Sequence, residues 1–361
     1  MKDLLSNYGR FVIIVLTIAA GIFVPSFISG PANAQDSGNT SPSPTPTPRP
    51  TATPIEDDDP LIVETELVNL NVRVVDRNNR PINNLPQTEF SIFEDNVAQT
   101  IEFFSRSEVP TNYSLVIDNS GSLRSQINEV IEAGKIIVDT NRDGDKTSVI
   151  RFVDSQNIEI VQDFSTDKEE VKESLETQLF IEGGRTAIID AVYLAIQNVS
   201  DYERGADDHR KRRAIVLVSD GEDVNSVYSQ KQLVDLLRES DVQIYTVGFV
   251  RDLSDKGGFF SKSSQSKARS FLEDLATQTG GKAYFPATVS ELPNIARDIA
   301  SEMRMQYSIG YIPTNNRDDG TYRNIKVLIK DGPNKEKRIA VTRAGRTAEG
   351  RNGQPVLQRS N

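Results

Sequence analysis

The amino-acid sequence predicts an α/β fold: a doubly wound, mostly parallel sheet with a small flanking β-sandwich. Three observations carry this prediction. Residues 110–305 alternate apolar strands with helical stretches, and regular βα alternation implies a parallel sheet covered by helices on both faces. The runs Leu115–Ile117 and Ala214–Val218 are continuously apolar, as strands buried on both faces are. Outside that region, Val68, Leu70, Val72 and Val74 alternate with Asn69, Asn71 and Arg73, and Tyr307, Ile309 and Tyr311 alternate likewise. Period two marks half-buried strands.

The amino terminus is of another kind. Lys2 and Arg10 precede an apolar run from Phe11 to Val24, and Ala32-Asn33-Ala34 supplies small residues at cleavage spacing. That is the layout of a secretory signal peptide. Pro25 interrupts the run, which falls short of the ~20 apolar residues that span a bilayer comfortably. Continued to Ile28, residues 11–28 would serve as an uncleaved membrane anchor. Residues 1–34 are thus read as signal peptide or anchor. Both readings export the remainder to a periplasmic, cell-surface or secreted location, because the basic residues precede the apolar ones. Residues 35–60 hold the Ser/Thr-Pro alternation Ser41–Pro54 and then Glu56–Asp59. Alternating prolines favour extended polyproline II, so this segment is a Pro/Thr-rich, semi-rigid linker without a core of its own.

Residues 61–108 form a β unit. After the Val68–Val74 strand, Asp76–Pro81 is a polar turn, and Phe90–Glu94, Asp95-Asn96 and Val97–Phe104 read as a hairpin. So few strands make a poor domain alone. Residues 306–345 supply more: Tyr307–Tyr311, a turn at Asp318-Asp319-Gly320, Ile325–Ile329, and another strand within Arg338–Thr342. The two stretches are expected to form one discontinuous sandwich with the central domain inserted between them; the alternative is two separate appendages. Residues 346–361 read as a disordered polar tail.

Within 110–305 the order is strand Tyr113–Ile117, helix Ser125–Thr140, strand Ser148–Phe152, short strand Ile158–Val161 and helix Lys168–Gln178. Helix Ala187–Val199, strand Ala214–Val218, helix Ser229–Glu239, strand Val242–Gly248 and helix Ser266–Thr279 follow. Strand Lys282–Phe285 and helix Ser290–Met305 close the domain. Asp139-Thr-Asn-Arg-Asp-Gly-Asp145 begins like a calcium loop, but its twelfth position is Ile150 and a strand follows at once, which favours a helix-to-strand turn. The long loop Arg251–Lys267 holds Phe259 and Phe260, either a contact patch or a tuck into the core.

Three turns carry oxygen ligands. Asp118-Asn-Ser120-Gly-Ser122 follows the first buried strand, Gly183-Gly-Arg-Thr186 leads into the Ala187 helix, and Asp220-Gly221 follows the buried strand Ala214–Val218. Taken singly, each has an ordinary explanation as an Asx turn, a threonine cap or a common turn. Together they fall at matching ends of α/β elements, where open sheets bind ligands. Carboxylates and hydroxyls are hard ligands suited to Mg²⁺ or Ca²⁺.

These residues and the βα order resemble the von Willebrand factor type A domain with its metal-ion-dependent adhesion site. Asp118-x-Ser120-x-Ser122 matches the family's first loop, Thr186 its second-loop threonine and Asp220 its third-loop aspartate. Gly183–Ala191 matches the Gly-Gly-x-Thr-Ala-x-x-Asp-Ala form of bacterial members, with Arg185 an extra residue relative to the tighter Gly-Gly-Thr form. With the leader, the β segment and Tyr307–Tyr311, the layout resembles a bacterial exported group of this family. The resemblance implies a Rossmann-like sheet and binding rather than catalysis. It implies Mg²⁺, with Ca²⁺ or Mn²⁺ as alternatives, held by Asp118, Ser120, Ser122, Thr186 and Asp220. It also implies a protein partner that presents a carboxylate, and in some members a shift of the last helix, here near Ser290–Met305.

Composition narrows the classes. There is no cysteine, so there is no thiolate site, and the one histidine, His209, sits in a charged run. The net charge of −11 argues against nucleic acid or anionic lipid as partner, leaving the membrane only through the amino-terminal segment. An enzyme such as a metal-assisted phosphatase needs a second carboxylate two residues after Asp118, where Ser120 stands. The remaining alternative is a structural or assembly protein of the envelope that keeps the fold without using the ion.

Overall fold

The computed structural model describes residues 67–106, 109–180, 186–203, 211–250 and 259–348. The expected leader, the Pro-rich linker, His209 and the stretch 251–258 lie outside them, as do the side chains of Phe259 and Phe260. All described residues fall within one compact unit.

In chain order the strands are β1 (Val68–Val75), β2 (Phe90–Glu94), β3 (Val97–Gln99), β4 (Ile101–Ser105) and β5 (Thr111–Asp118). Helix α1 (Ile127–Asp139), strands β6 (Lys146–Phe152) and β7 (Ile158–Ser165), and helices α2 (Lys168–Gln178) and α3 (Ile188–Asp201) follow. Next come β8 (Arg212–Ser219), α4 (Gln230–Glu239), β9 (Gln243–Gly248), α5 (Phe259–Thr279), β10 (Ala283–Tyr284) and α6 (Leu292–Arg304). The last strands are β11 (Tyr307–Tyr311), β12 (Tyr322–Ile329), β13 (Ile339–Val341) and β14 (Gly345–Thr347).

The central sheet has the order β10-β9-β8-β5-β6-β7, parallel except for the antiparallel edge strand β7. Its apolar runs are sorted by the pleat, which sends successive side chains to opposite faces. Leu115, Ile117, Val216 and Val247 pack on one side under α1, α2 and α6. Val116, Ile150, Leu217 and Ile244 pack on the other under α3, α4 and α5. Each helix buries one stripe: α1 buries Val130, Ile131, Gly134, Ile137 and Val138 at helical spacing. Asp167 caps α2, and Ser229 caps α4 in a reciprocal box with Gln232. The Asp139–Asp145 stretch is a helix-to-strand turn. Its oxygens serve the fold, Asp145 accepting from the Thr111 and Arg142 amides and Asn141 from the Tyr113 hydroxyl.

The flanking strands make two antiparallel sheets, β13-β1-β11-β4 and β14-β12-β2-β3. Each sheet mixes strands from before and after the central domain: Leu70 lies opposite Ile309, and Val327 opposite Ile92. Val68, Leu70, Val72, Phe90, Ile92, Tyr307, Ile309 and Tyr311 fill the space between them.

Three details differ from the sequence expectation: helix α5 begins at Phe259, inside the loop expected over Arg251–Lys267, and the other two lie in the sandwich. The single strand expected over Val97–Phe104 breaks at Thr100, so that β3 stays with β2 while β4 crosses to β11. Buried Gln99 holds this crossing by exchanging hydrogen bonds with Thr314, at 3.0 Å to its amide and 3.1 Å to its hydroxyl. The tail expected from 346 onward instead begins in strand β14, paired with β12. Arg346 there donates to buried Glu94 at 3.1 Å, and Glu94 also accepts from Tyr311 at 2.6 Å. A local reading of Arg346 sees only a charge; its carboxylate partner is remote in sequence. Residues 349–361 lie outside the described residues.

The central domain joins the sandwich at the amino ends of its strands, through β4 to β5 and through α6 to β11. Buried Arg212, the first residue of β8, donates to the carbonyls of Met303, Arg304 and Gln306 and to the Ser308 hydroxyl. Arg73 of β1 pairs with Glu302 of α6 at 2.8 Å, both buried, and Lys282 lies 3.5 Å from the same carboxylate.

Candidate metal-binding site

At the opposite end of the sheet, β5 runs fully buried to its last residue, Asp118. Strand β8 lies beside it, with Ile117 opposite Val218, so the register brings Ser219 next to Asp118. Ser219 donates its hydroxyl to Asp118 Oδ2 at 2.8 Å, and the Ser120 amide donates to Oδ1 at 2.9 Å. The Ser120 and Ser122 hydroxyls lie 2.8 Å apart. Asn119 ties this turn to its neighbours: its amide donates to the Phe152 carbonyl and its side chain to the Phe180 carbonyl.

Asp220 is also buried, and its Oδ1 accepts the Glu222 amide at 3.0 Å. Gly221 has φ +81 and backs onto α5, where an added Cβ would press on the Ala268 carbonyl at 3.0 Å, so the turn takes glycine on both counts. Burial, and after it the charge of Asp220, push the Asp118 carboxyl from the usual 3.8 up to about 7, against the hydrogen bonds from Ser120 and Ser219. Among the described residues neither aspartate forms an ion pair with a lysine or arginine. Two carboxylates are therefore buried with hydroxyls beside Asp118 and, among the described residues, no cationic partner.

Thr186 is buried two residues ahead of α3. The N-cap of α3 is Ala187, so Thr186 is not the helix cap. Its carbonyl accepts the Val224 and Asn225 amides at 2.9 and 3.3 Å, which fastens the second turn to the third. Gly183, Gly184 and Arg185 lie outside the described residues. Asp190, in the first turn of α3, accepts the Val227 and Tyr228 amides, both at 2.8 Å. Asp223 accepts the Ile189 amide at 3.3 Å and the Ser226 hydroxyl at 2.5 Å.

Of the five candidate residues, Asp118, Ser120 and Ser122 form one hydrogen-bonded turn, Asp220 acts on it through its charge, and Thr186 is held to the loop that follows Asp220. Ser219 was not among the candidates. Its signal is its place beside Asp118, which requires knowing that β5 and β8 are neighbours. Among the described residues no three His, Asp or Glu side chains gather as a metal cluster. The five candidates offer carboxylates and hydroxyls, donors of the kind that suits a hard divalent cation, and only the Thr186 carbonyl, not its hydroxyl, is tied to the neighbouring turn.

A model of the von Willebrand factor type A domain family matches residues 114–298. Solved structures of similar fold include an aerotolerance-related membrane protein from Bacteroides fragilis with multiple mutations to serines. It is 18% identical over 54% of this chain and 98% of its own, with a TM-score of 0.39. A von Willebrand factor type A protein from Catenulispora acidiphila is 14% identical over 78% of this chain and 74% of its own, at 0.42. Proximal thread matrix protein 1 from the mussel byssus, with a zinc-occupied MIDAS motif, is 18% identical over 58% and 49%, also at 0.42. Among curated proteins none matches the sequence.

Proposed function

Because the chain belongs to the von Willebrand factor type A domain family, we propose that it is an exported, divalent-metal-dependent protein-binding module. One observation carries the reading: Asp118 and Asp220 are buried close enough for charge to act between them, with hydroxyls beside them and no cationic side chain paired to either among the described residues. Such an arrangement is costly in a fold that never meets a cation. Asp118, Ser120, Ser122, Thr186 and Asp220 would hold Mg²⁺, or Ca²⁺ or Mn²⁺ in its place. When bound, the ion supplies positive charge and an open coordination position for a carboxylate of another protein. The chain's own part is to orient the oxygens: Ser219 and the Ser120 amide fix the Asp118 carboxylate, and the Val224 amide fixes the turn of Thr186.

Binding rather than catalysis is supported by Ser120, whose hydroxyl faces Ser122 where a phosphatase would place an acid. A net charge of −11 disfavours nucleic acid. Export rests on Lys2, Arg10 and the apolar run after them. Among the described residues no helix is long and apolar enough to cross a membrane. A structural role in the envelope is the second reading, favoured by the buried pairing of the two domains through Arg73 and Glu302.

Thermal unfolding separates them. At Mg²⁺ about 100-fold above Kd, a ligand specific to the native state stabilises by about 2.7 kcal/mol, or a rise of about 5–10 °C for a body of this size. Wild type is expected to show that rise and Asp118→Ala to lose it. Equal rises in both proteins reject the metal-dependent reading.

A further inference from the structure

At the end of the sheet opposite Asp118, the chain enters β8 through three successive cations, Lys211, Arg212 and Arg213. In a chain of net charge −11 this is a local reversal of sign. The three line a cavity of about 40 Å³ between the central domain and the sandwich, together with Asn71, Ser308 and Asp241. A single water needs only about 10–15 Å³. The pleat supplies the polar wall: Leu70 and Val72 face the core of the sandwich, so Asn71 between them faces the cavity.

Two of the three cations have a partner. Lys211 pairs with Glu203, and Arg213 with Asp241 at 3.2 Å. Arg212 forms no ion pair among the described residues. Only 3% of it is exposed, yet its hydrogen bonds go to the carbonyls of Met303, Arg304 and Gln306 and to the Ser308 hydroxyl, all neutral, and Nε finds no acceptor. Asp145 acts on it through charge alone, its oxygens accepting the Thr111 and Arg142 amides. An arginine keeps its proton near neutral pH. The cavity wall therefore carries a buried positive charge to which no described carboxylate is bonded. Water would satisfy Nε but not the charge.

We propose that this cavity binds a free tetrahedral oxyanion, phosphate or sulfate, held by Arg212 and Lys211 with the Asn71 amide and the Ser308 hydroxyl. Ser308 accepts from Arg212 at 3.3 Å, which leaves its own proton to donate. Donors that converge from β1, β11 and the start of β8 suit an ion with several oxygens better than a spherical halide, and a guanidinium favours oxyanions by its fork of N–H groups. The bound ion supplies the counter-charge that Arg212 lacks and ties the sandwich to the central domain. The site is separate from Asp118 and its neighbours and does not depend on the metal.

Isothermal titration calorimetry on the full chain, in EDTA and at constant ionic strength, tests the site with phosphate, sulfate, glycerol phosphate and chloride as separate titrants. EDTA prevents any titrant from binding through a metal at Asp118. Phosphate and sulfate are expected to bind one to one, to compete with each other, and to show a Kd of about 1 mM or tighter. Glycerol phosphate, whose glycerol has to fit the same cavity, and chloride are each expected to bind roughly tenfold or more weakly. Arg212→Lys keeps the charge but loses the fork, and should weaken phosphate roughly tenfold or more. Because that change also removes hydrogen bonds of the joint, Lys211→Gln and Ser308→Ala are measured beside it. Each should weaken phosphate about threefold to tenfold while leaving the urea midpoint without phosphate nearly unchanged. No saturable binding of phosphate or sulfate, chloride or the ester binding as tightly as phosphate, or unchanged phosphate affinity in Lys211→Gln and Ser308→Ala overturns the site.

Discussion

The two ends of the central sheet bury charge in opposite ways. At the amino ends, where the sandwich joins, Arg212 is buried yet donates to three carbonyls and a hydroxyl, and Arg73 meets Glu302 at 2.8 Å. Burial lowers Arg212 to about 10, still well above neutral, so it stays charged. At the carboxyl ends, Asp118 and Asp220 are buried with like charge, and burial together with the charge of Asp220 raises Asp118. The fold pairs Arg73 with a carboxylate and gives Arg212 oxygen acceptors at one end, although Nε of each finds no acceptor there, and sets like charges side by side at the other. Like charge buried without an opposite partner is what separates the candidate metal site from the joint.

The largest expected effect breaks the joint. Glu302→Ala strands Arg73 in a dry interface and should cost about 3–5 kcal/mol, the usual penalty for removing one partner of a buried pair. Urea unfolding reads it, and the loss should be the same with Mg²⁺ or EDTA. A loss below about 1 kcal/mol would mean that the pair contributes no more than a surface ion pair and does not fasten the joint.

The next acts on the other end. The folded protein holds a proton on Asp118 up to about 7, whereas the unfolded chain releases it near 3.8. Between those values the native state binds more protons than the unfolded one, so stability in EDTA should fall as pH rises through that window. Asp118→Asn should flatten the decline and raise stability at pH 8 by about 1–3 kcal/mol. A flat wild-type profile in EDTA would remove the contrast between the two ends. Mg²⁺ should offset the decline in wild type only.

A smaller change lies away from both ends and calibrates them. Ser229→Ala removes the cap of α4 and its exchange with Gln232, and should cost about 1 kcal/mol in urea with no dependence on metal or pH. The smallest is at Glu203, which Lys146 and Lys211 hold down at about 2. Its contribution is present above the ordinary carboxyl range near 4.5 and is lost as pH falls towards 2. Because the group is partly solvated, Glu203→Gln should shift acid unfolding by only a few tenths of a kcal/mol.

What could be read from the sequence follows the range of the interactions involved. Helix α2 spans Lys168–Gln178, the range expected from the sequence, because helical patterning is a local signal. Strand β11 is equally plain from Tyr307, Ile309 and Tyr311. The break at Thr100 and the pairing of Arg346 with Glu94 were hidden, since each depends on a partner more than two hundred residues away. Within the candidate site, the Asp118–Ser122 turn is one short segment and is legible as such. Ser219 is not, because nothing in residue spacing says that β8 lies against β5.

The crossing of β4 and the entry of β11 give the central domain two covalent roots in one sandwich sheet, with β1 next to β11 in the same ladder. Tension applied through the chain ahead of Val68 reaches β1 first and passes to β11 across five facing residue pairs, Val68 with Tyr311 through Val72 with Tyr307. Helix α6 leads directly into strand β11. The sandwich is thus a socket rather than a hinge: a pull on the chain at Val68 is shared by the ladder before any of it reaches the central domain.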